Sequence, residues 1–135
     1  MPFRRIWRGR TFDVDAPVEN DRCEIEDILA GALQFDPRPC WKTIVALIIE
    51  AAENGRPENE ELCRTVLDER TAELLEFRAC GGEISLFWFN YDNTIVLCSI
   101  AIDRKSRPAS IDKALLHRSE YLKEKNKCAP RTLIS

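Results

Sequence analysis

Residues 73–102, ELLEFRACGGEISLFWFNYDNTIVLCSIAI, decide how this chain reads. Before them, apolar residues recur every three or four positions. Here the rhythm changes, and β-branched and aromatic residues fill three short runs, ELLEFRA, EISLFWFN and TIVLCSIAI. CGG and YDN lie between the runs, and turn chemistry of that kind folds successive strands back on one another. Three consecutive antiparallel strands are expected.

Toward the amino terminus, CWKTIVALIIEAAENG places Trp41, Ile44, Val45, Ile48 and Ala52 on one stripe and ends at Gly55, a residue free to adopt the left-handed cap. A helix is predicted there. CEIEDILAGAL predicts another, with Ile25, Ile28, Leu29, Ala32 and Leu33 inward, and FDPRPC breaks it because proline removes a donor and restrains its predecessor. PENEELCRTVLDER opens on Pro57 and acidic residues suited to a helix amino terminus, which predicts a further short helix with Leu62, Val66 and Leu67 inward. TFDVD alternates as a half-buried strand does.

Toward the carboxyl terminus, SRPAS interrupts and Ser110 is positioned to cap a last helix, IDKALLHRSEYLKEK. Its inward stripe is Ile111, Ala114, Leu115 and Leu122, with Arg118 on the same stripe. Residues 126–135 carry no period and are expected to fray. The reading is one α+β domain over residues 1–135: an amino-terminal strand and helices packed on an antiparallel sheet, then a carboxyl-terminal helix.

Of the 135 residues 44% are hydrophobic, enough for a single modest core, and no apolar run approaches the roughly 20 residues of a membrane span. The basic amino terminus lacks the apolar stretch of a secretory signal, so the expected location is the cytoplasm, without membrane association. Cys23, Cys40, Cys63, Cys80, Cys98 and Cys128 show no CxxC spacing and are expected to be reduced, mostly as small buried residues. With His117 the sole histidine, a zinc site would need scattered cysteines brought together, and neither metal nor cofactor is expected.

Net charge is -3, unevenly spread: 11 cations face 20 anions through Asp103, whereas 9 face 3 after it. A basic end of this kind suits contact with a polyanion, and equally a solvated helix face with a charged tail.

The stretches LLEFR, CGGEISLFWF, TIVLCSIAI, DRKSRP and DKALLHRSEYL follow in that order over residues 74–122. As an ordered set they resemble the RelE/HigB type of toxin from bacterial and phage type II toxin-antitoxin modules, of the RelE/ParE superfamily. The resemblance implies a RelE-like fold and a metal-independent, ribosome-dependent mRNA endonuclease without a cofactor. It implies as partners the ribosome, mRNA and a cognate antitoxin, expected to be a helix-turn-helix protein. By position, Arg78, Arg104 and Lys105 are the implied catalytic residues, and Arg107, Arg118, Tyr121 and His117 the implied RNA contacts.

The chemistry suits those residue types. Cleavage by a 2′-hydroxyl requires orientation of the backbone and stabilisation of charge developing on phosphoryl oxygens, and a guanidinium donates bidentately while staying charged. Plainer roles stand beside these. Arg78 also reads as decorating an outer strand face, Arg118 as tying the helix to an acidic residue of the middle segment, and His117 as lying on a solvated helix face. Phe87, Trp88 and Phe89 read as core rather than as base-stacking platforms. Ser85, Ser99, Ile100 and Asp103 depart from the pattern, where relatives carry an arginine, a histidine, a glycine and a cation. Those departures leave an alternative, a catalytically inactive RelE-like protein-binding or regulatory module; inhibition of DNA gyrase, as in a related subfamily, is a third.

Overall fold

The computed structural model describes residues 2–66, 70 and 73–128. Its elements, in chain order, are β1 (Phe3–Arg8), β2 (Asp13–Pro17), α1 (Glu24–Phe35), α2 (Cys40–Asn54), β3 (Cys63–Thr65), β4 (Leu75–Ala79), β5 (Ile84–Tyr91), β6 (Thr94–Ala101) and α3 (Arg107–Cys128). The strands form one six-stranded sheet in the order β1-β2-β6-β5-β4-β3. It is a mixed sheet. The expected antiparallel run β4–β5–β6 is present, but β2 lies parallel to β6, pairing Asp13 with Thr94 and Asp15 with Val96. The helices α1 and α2 occupy the connection that leads from β2 to the rest of the sheet, as a crossover must.

One face of the sheet, carrying Val14, Phe77, Leu86, Trp88 and Leu97, packs against Ile25 and Leu29 of α1 and Ile44 and Ile48 of α2. The other face, carrying Phe87, Phe89, Val96 and Cys98, packs against Ile111, Ala114 and Tyr121 of α3. Because both faces are covered, six consecutive residues are buried in each of β5 and β6, and these strands do not alternate. Phe87, Trp88 and Phe89 are core, as their composition suggested.

The α+β order is as expected, with local corrections. No helix forms over 57–66; instead Asn59 accepts the Glu61 amide through Oδ1 and the Cys63 amide through its carbonyl, and Cys63–Thr65 pairs with β4. Glu58, Glu60 and Glu61 break any apolar stripe, and it is Cys63 that turns inward. Residues 67–69 of that expected helix lie outside the described residues. The basic amino terminus adds the edge strand β1. The last helix begins at Arg107, three residues before the expected cap, because Pro108 falls in the first helical turn, where a missing N–H costs nothing. Residues 126–128 of the expected frayed tail continue α3, and the remainder lies outside the described residues.

The thiol expectation also changes. Cys40, at the first residue of α2, and Cys80, after β4, form a disulfide with their Cα atoms 5.6 Å apart. Their approach depends on α2 crossing the end of β4, which cysteine spacing does not reveal. Cys23, Cys63 and Cys98 are buried free thiols.

Candidate functional site

The corner where the β4–β5 turn meets the β6–α3 loop collects most of the sequence-nominated cations. Its frame is a turn of three left-handed residues, Cys80, Gly81 and Gly82, with φ of 53°, 65° and 92°. Two glycines accept that geometry without a steric cost. The turn offers the Gly81 carbonyl to Arg104, whose Nη2 donates to it at 3.0 Å, and Arg104 also pairs with Glu83 at 3.3 Å. Arg78, opposite Ser85 in the β4–β5 register, lays its guanidinium against Gly82: a Cβ on that glycine would stand 2.5 Å from Arg78 Nη2. Buried Arg78 Nε has no hydrogen-bond partner among the described residues.

Two residues earlier on β4, Glu76 is fully buried between two arginines. Arg107, from the first turn of α3, donates Nε to Oε2 at 3.2 Å and Nη2 to Oε1 at 3.0 Å, while Arg64 of β3 donates Nε to Oε1 at 3.2 Å. Burial pushes the Glu76 carboxyl up, but the Arg107 guanidinium, the Ser85 hydroxyl and Arg64 together hold it below the usual carboxylate range. The Arg107 guanidinium also lies 5.7 Å from the Phe87 ring centroid.

Lys105 is exposed in the same loop. Asp103 holds that loop in shape: its carboxylate accepts the Ser106 amide at 2.7 Å, and hydrogen bonding from Ser106 keeps its carboxyl below the ordinary range. Ser99 likewise has a structural task, donating to the Ser110 carbonyl at 2.6 Å and fixing α3 to β6. The corner thus assembles Arg64, Arg78, Arg104, Lys105 and Arg107 with Glu76, Glu83 and Asp103, five cations against three anions.

The remaining nominated residues sit elsewhere. Arg118 pairs with Glu73 at 3.6 Å and lies over Phe89, the tie to a middle-segment acid that its stripe suggested. Tyr121 does not present itself to a nucleotide. It is 2% exposed, packed edge-on against Phe3, Phe89 and Tyr91, with its hydroxyl 3.4 Å from Asp15; burial first, then Asp15, pushes its pKa up. His117 is 4% exposed with Nδ1 against the Cys98 carbonyl, which fits neither an RNA contact nor a solvated face. The α3 stripe is rotated relative to the expected one: Leu115 and Leu122 flank it, while His117 and Tyr121 occupy its centre. From β1, at the opposite edge of the sheet, Arg4 pairs with Glu26 of α1, and Arg5 with Asp13 and Asp15 of β2.

Sequence reasoning missed Glu76, Glu83 and Arg64. The only signal for Glu76 was an acid inside an otherwise apolar strand two positions before Arg78; Arg64 was hidden in the expected helix. Glu83 is the acid of the corner that pairs with Arg104 while its side chain stays 42% exposed. Among the described residues no three His, Cys, Asp or Glu side chains gather to hold a metal ion. No helix of the described residues is long and apolar enough to cross a membrane. No family model, no curated protein and no solved structure matches this chain.

Proposed function

We propose that this chain is the toxin of a type II toxin-antitoxin module, a RelE-like, metal-independent endoribonuclease acting on mRNA at the ribosome. The observation that carries the reading is the convergence of Arg78 and Arg104 on the Gly81–Gly82 turn, with Lys105 beside them and Arg107 next along the same seam. Residues nominated from two separate sequence stretches, LLEFR and DRKSRP, meet at one corner. A phosphodiester seated there receives guanidinium donors on its non-bridging oxygens, where charge grows as the 2′-hydroxyl attacks phosphorus. Glu83 takes the 2′-hydroxyl proton, the 2′-oxygen bonds to phosphorus as the bond to the 5′-oxygen breaks, and the 5′-oxygen leaves with a proton from solvent, giving a 2′,3′-cyclic phosphate and a 5′-hydroxyl. In this reading the antitoxin, expected to be a helix-turn-helix protein, neutralises the corner by covering it or by keeping the protein off the ribosome.

A second reading, a catalytically inactive protein-binding module on the same scaffold, draws on two observations. Arg107 is committed to Glu76, and His117 is buried on the inner side of α3 with Nδ1 against the Cys98 carbonyl. One experiment separates the two: induced expression with mapping of mRNA ends on translating ribosomes, beside the Arg78→Ala/Arg104→Ala double variant. Growth arrest with codon-phased cleavage that the double variant abolishes supports the toxin. Well-expressed native protein that captures a partner yet leaves messages intact rejects the nuclease in favour of the module. Trapped double-strand DNA breaks with intact messages would instead point to gyrase.

A further inference from the structure

We propose that the Cys40–Cys80 disulfide is a redox gate on the arginine corner: oxidised, it holds the Cys80–Gly82 turn in the form that seats Arg104 and Arg78; reduced, it releases that turn. The inference rests on the phosphate-binding reading of the corner and adds its regulation.

The two sulfurs have unlike surroundings. Cys40 is buried beside Trp41 in the first turn of α2, and the helix behind it is anchored through Ile44, Leu47 and Ile48 in the core. Cys80 is exposed, at the first position of the turn. One end of the bond is therefore fixed and the other mobile once freed. Cys80 is also the non-glycine member of a left-handed trio, with φ of 53°. That conformation disfavours side chains, so it persists where the surroundings impose it. The disulfide is the covalent element that imposes it here.

What the turn carries makes this consequential. The Gly81 carbonyl is the acceptor for Arg104 Nη2, and the surface of Gly82 is the shelf on which the Arg78 guanidinium rests. If Cys80 relaxes to negative φ, the peptide planes that follow rotate, the Gly81 carbonyl leaves Arg104, and the shelf under Arg78 moves. Both cations then lose their shared fixed point without any change in charge. Other ties on the turn are few: Glu83 N donates to the Cys80 carbonyl at 3.3 Å, and Arg104 pairs with exposed Glu83.

The chemistry balances with a dithiol as reductant. Its thiolate attacks the Sγ of Cys80, the exposed residue of the pair, the Sγ–Sγ bond breaks, and Cys40 leaves as a thiolate that takes up a proton. The second thiol of the dithiol then attacks the mixed disulfide and releases Cys80. Two electrons and two protons pass to the protein, and the reductant ends as a disulfide. A bond open to attack at one sulfur suits a reversible switch rather than a sealed staple.

The test measures binding of a fluorescein-labelled 12-nucleotide single-stranded RNA by anisotropy, for oxidised protein, dithiothreitol-reduced protein and the Cys40→Ser/Cys80→Ser variant. Amide hydrogen exchange over residues 80–83 is followed in each. The expected result is at least tenfold weaker binding and faster exchange at 80–83 on reduction, with the variant matching the reduced protein and indifferent to dithiothreitol. Should the variant fail to fold, the reduced wild-type protein, checked by circular dichroism, decides. Equal affinity and equal exchange in both redox states overturn the gate while leaving the phosphate site standing. Absence of RNA binding by the oxidised protein overturns the phosphate site, and the gate falls with it.

Discussion

Arg107 and Glu76, 31 residues apart in sequence, meet through two nitrogens and two oxygens at 3.0 and 3.2 Å, and the pair pins the start of α3 to β4. The carboxylate is fully buried, so its charge depends on its partners; Arg107 is 31% exposed and Arg64, the second partner, 45%. Removing one partner of a buried pair costs more than the pair contributes, because the other charge is left without compensation.

Arg107→Ala should therefore destabilise the fold by about 3 kcal/mol, toward the low end for a broken buried pair because Arg64 still holds Glu76. Arg64→Ala should cost about 1 kcal/mol, as expected of a more solvated partner. Urea unfolding curves for the two variants measure both. Equal losses would mean that the bidentate contact holds no special place.

The same carboxylate sets an acid limit. Its pKa is lowered in the folded chain, so its contribution is fully present above its unfolded value, near 4.3, and is lost as pH falls through the lower folded value. Melting temperature should fall as the solution is acidified below about pH 4.5, and Glu76→Gln should start lower and flatten that part of the profile. A Glu76→Gln curve parallel to wild type through the acid range would place the acid sensitivity in another group.

Closing a 40-residue loop, the Cys40–Cys80 bond removes unfolded-state entropy. The chain-entropy relation gives about 4 kcal/mol for that length. Reductant should lower the urea midpoint accordingly, and Cys40→Ala/Cys80→Ala should no longer respond to it. A midpoint unmoved by reduction of the native protein would mean that the bond does not form in solution.

Much of the fold was legible. Ile84–Tyr91 and Thr94–Ala101 announce strands through β-branched and aromatic residues, and the Trp41–Ile44–Ile48 stripe announces α2. Long-range geometry was not. The parallel partnership of β2 with β6 joins residues about 80 positions apart, and no local period encodes it. Arg78 and Arg104 could be nominated from their stretches, but their meeting depends on the left-handed turn at 80–82. Glu76 was harder still, since a charged residue on a short strand looks solvated until α3 and β3 cover it. His117 and Tyr121 were misjudged because α3 carries charged residues on most of its surface, and a modest rotation of the helix exchanges its solvated and buried positions.

Gly82 offers a way to move Arg78 without deleting it. Its φ of 92° penalises any side chain, and an added Cβ meets Arg78 Nη2. Gly82→Ala should cost about 1–2 kcal/mol in backbone conformation and displace the guanidinium, lowering cleavage by a larger factor than its stability loss explains. Gly31 in α1 is the control: nothing lies within 4 Å of its missing Cβ, and Gly31→Ala should stabilise the helix by up to about 1 kcal/mol with cleavage unchanged. Equal cleavage by both alanine variants would show that the position of Arg78 does not matter.

Arg78 and Lys105 should fail in different ways, because one is fixed and partly buried beside Gly82 while the other is exposed on the loop. A preorganised donor acts on charge that develops at phosphorus, so Arg78→Ala should lower single-turnover cleavage about 10²–10³-fold. An exposed ammonium acts chiefly by releasing a counterion, so Lys105→Ala should weaken RNA binding mildly and reduce the slope of log affinity against log salt by about 0.7. Tyr121→Phe removes a hydroxyl sealed beside Asp15 and should leave both the rate and the salt slope in place. If Tyr121→Phe, folded and stable, instead slows cleavage as much as Arg78→Ala, the working surface is the inner side of α3, and the arginine corner is only a scaffold.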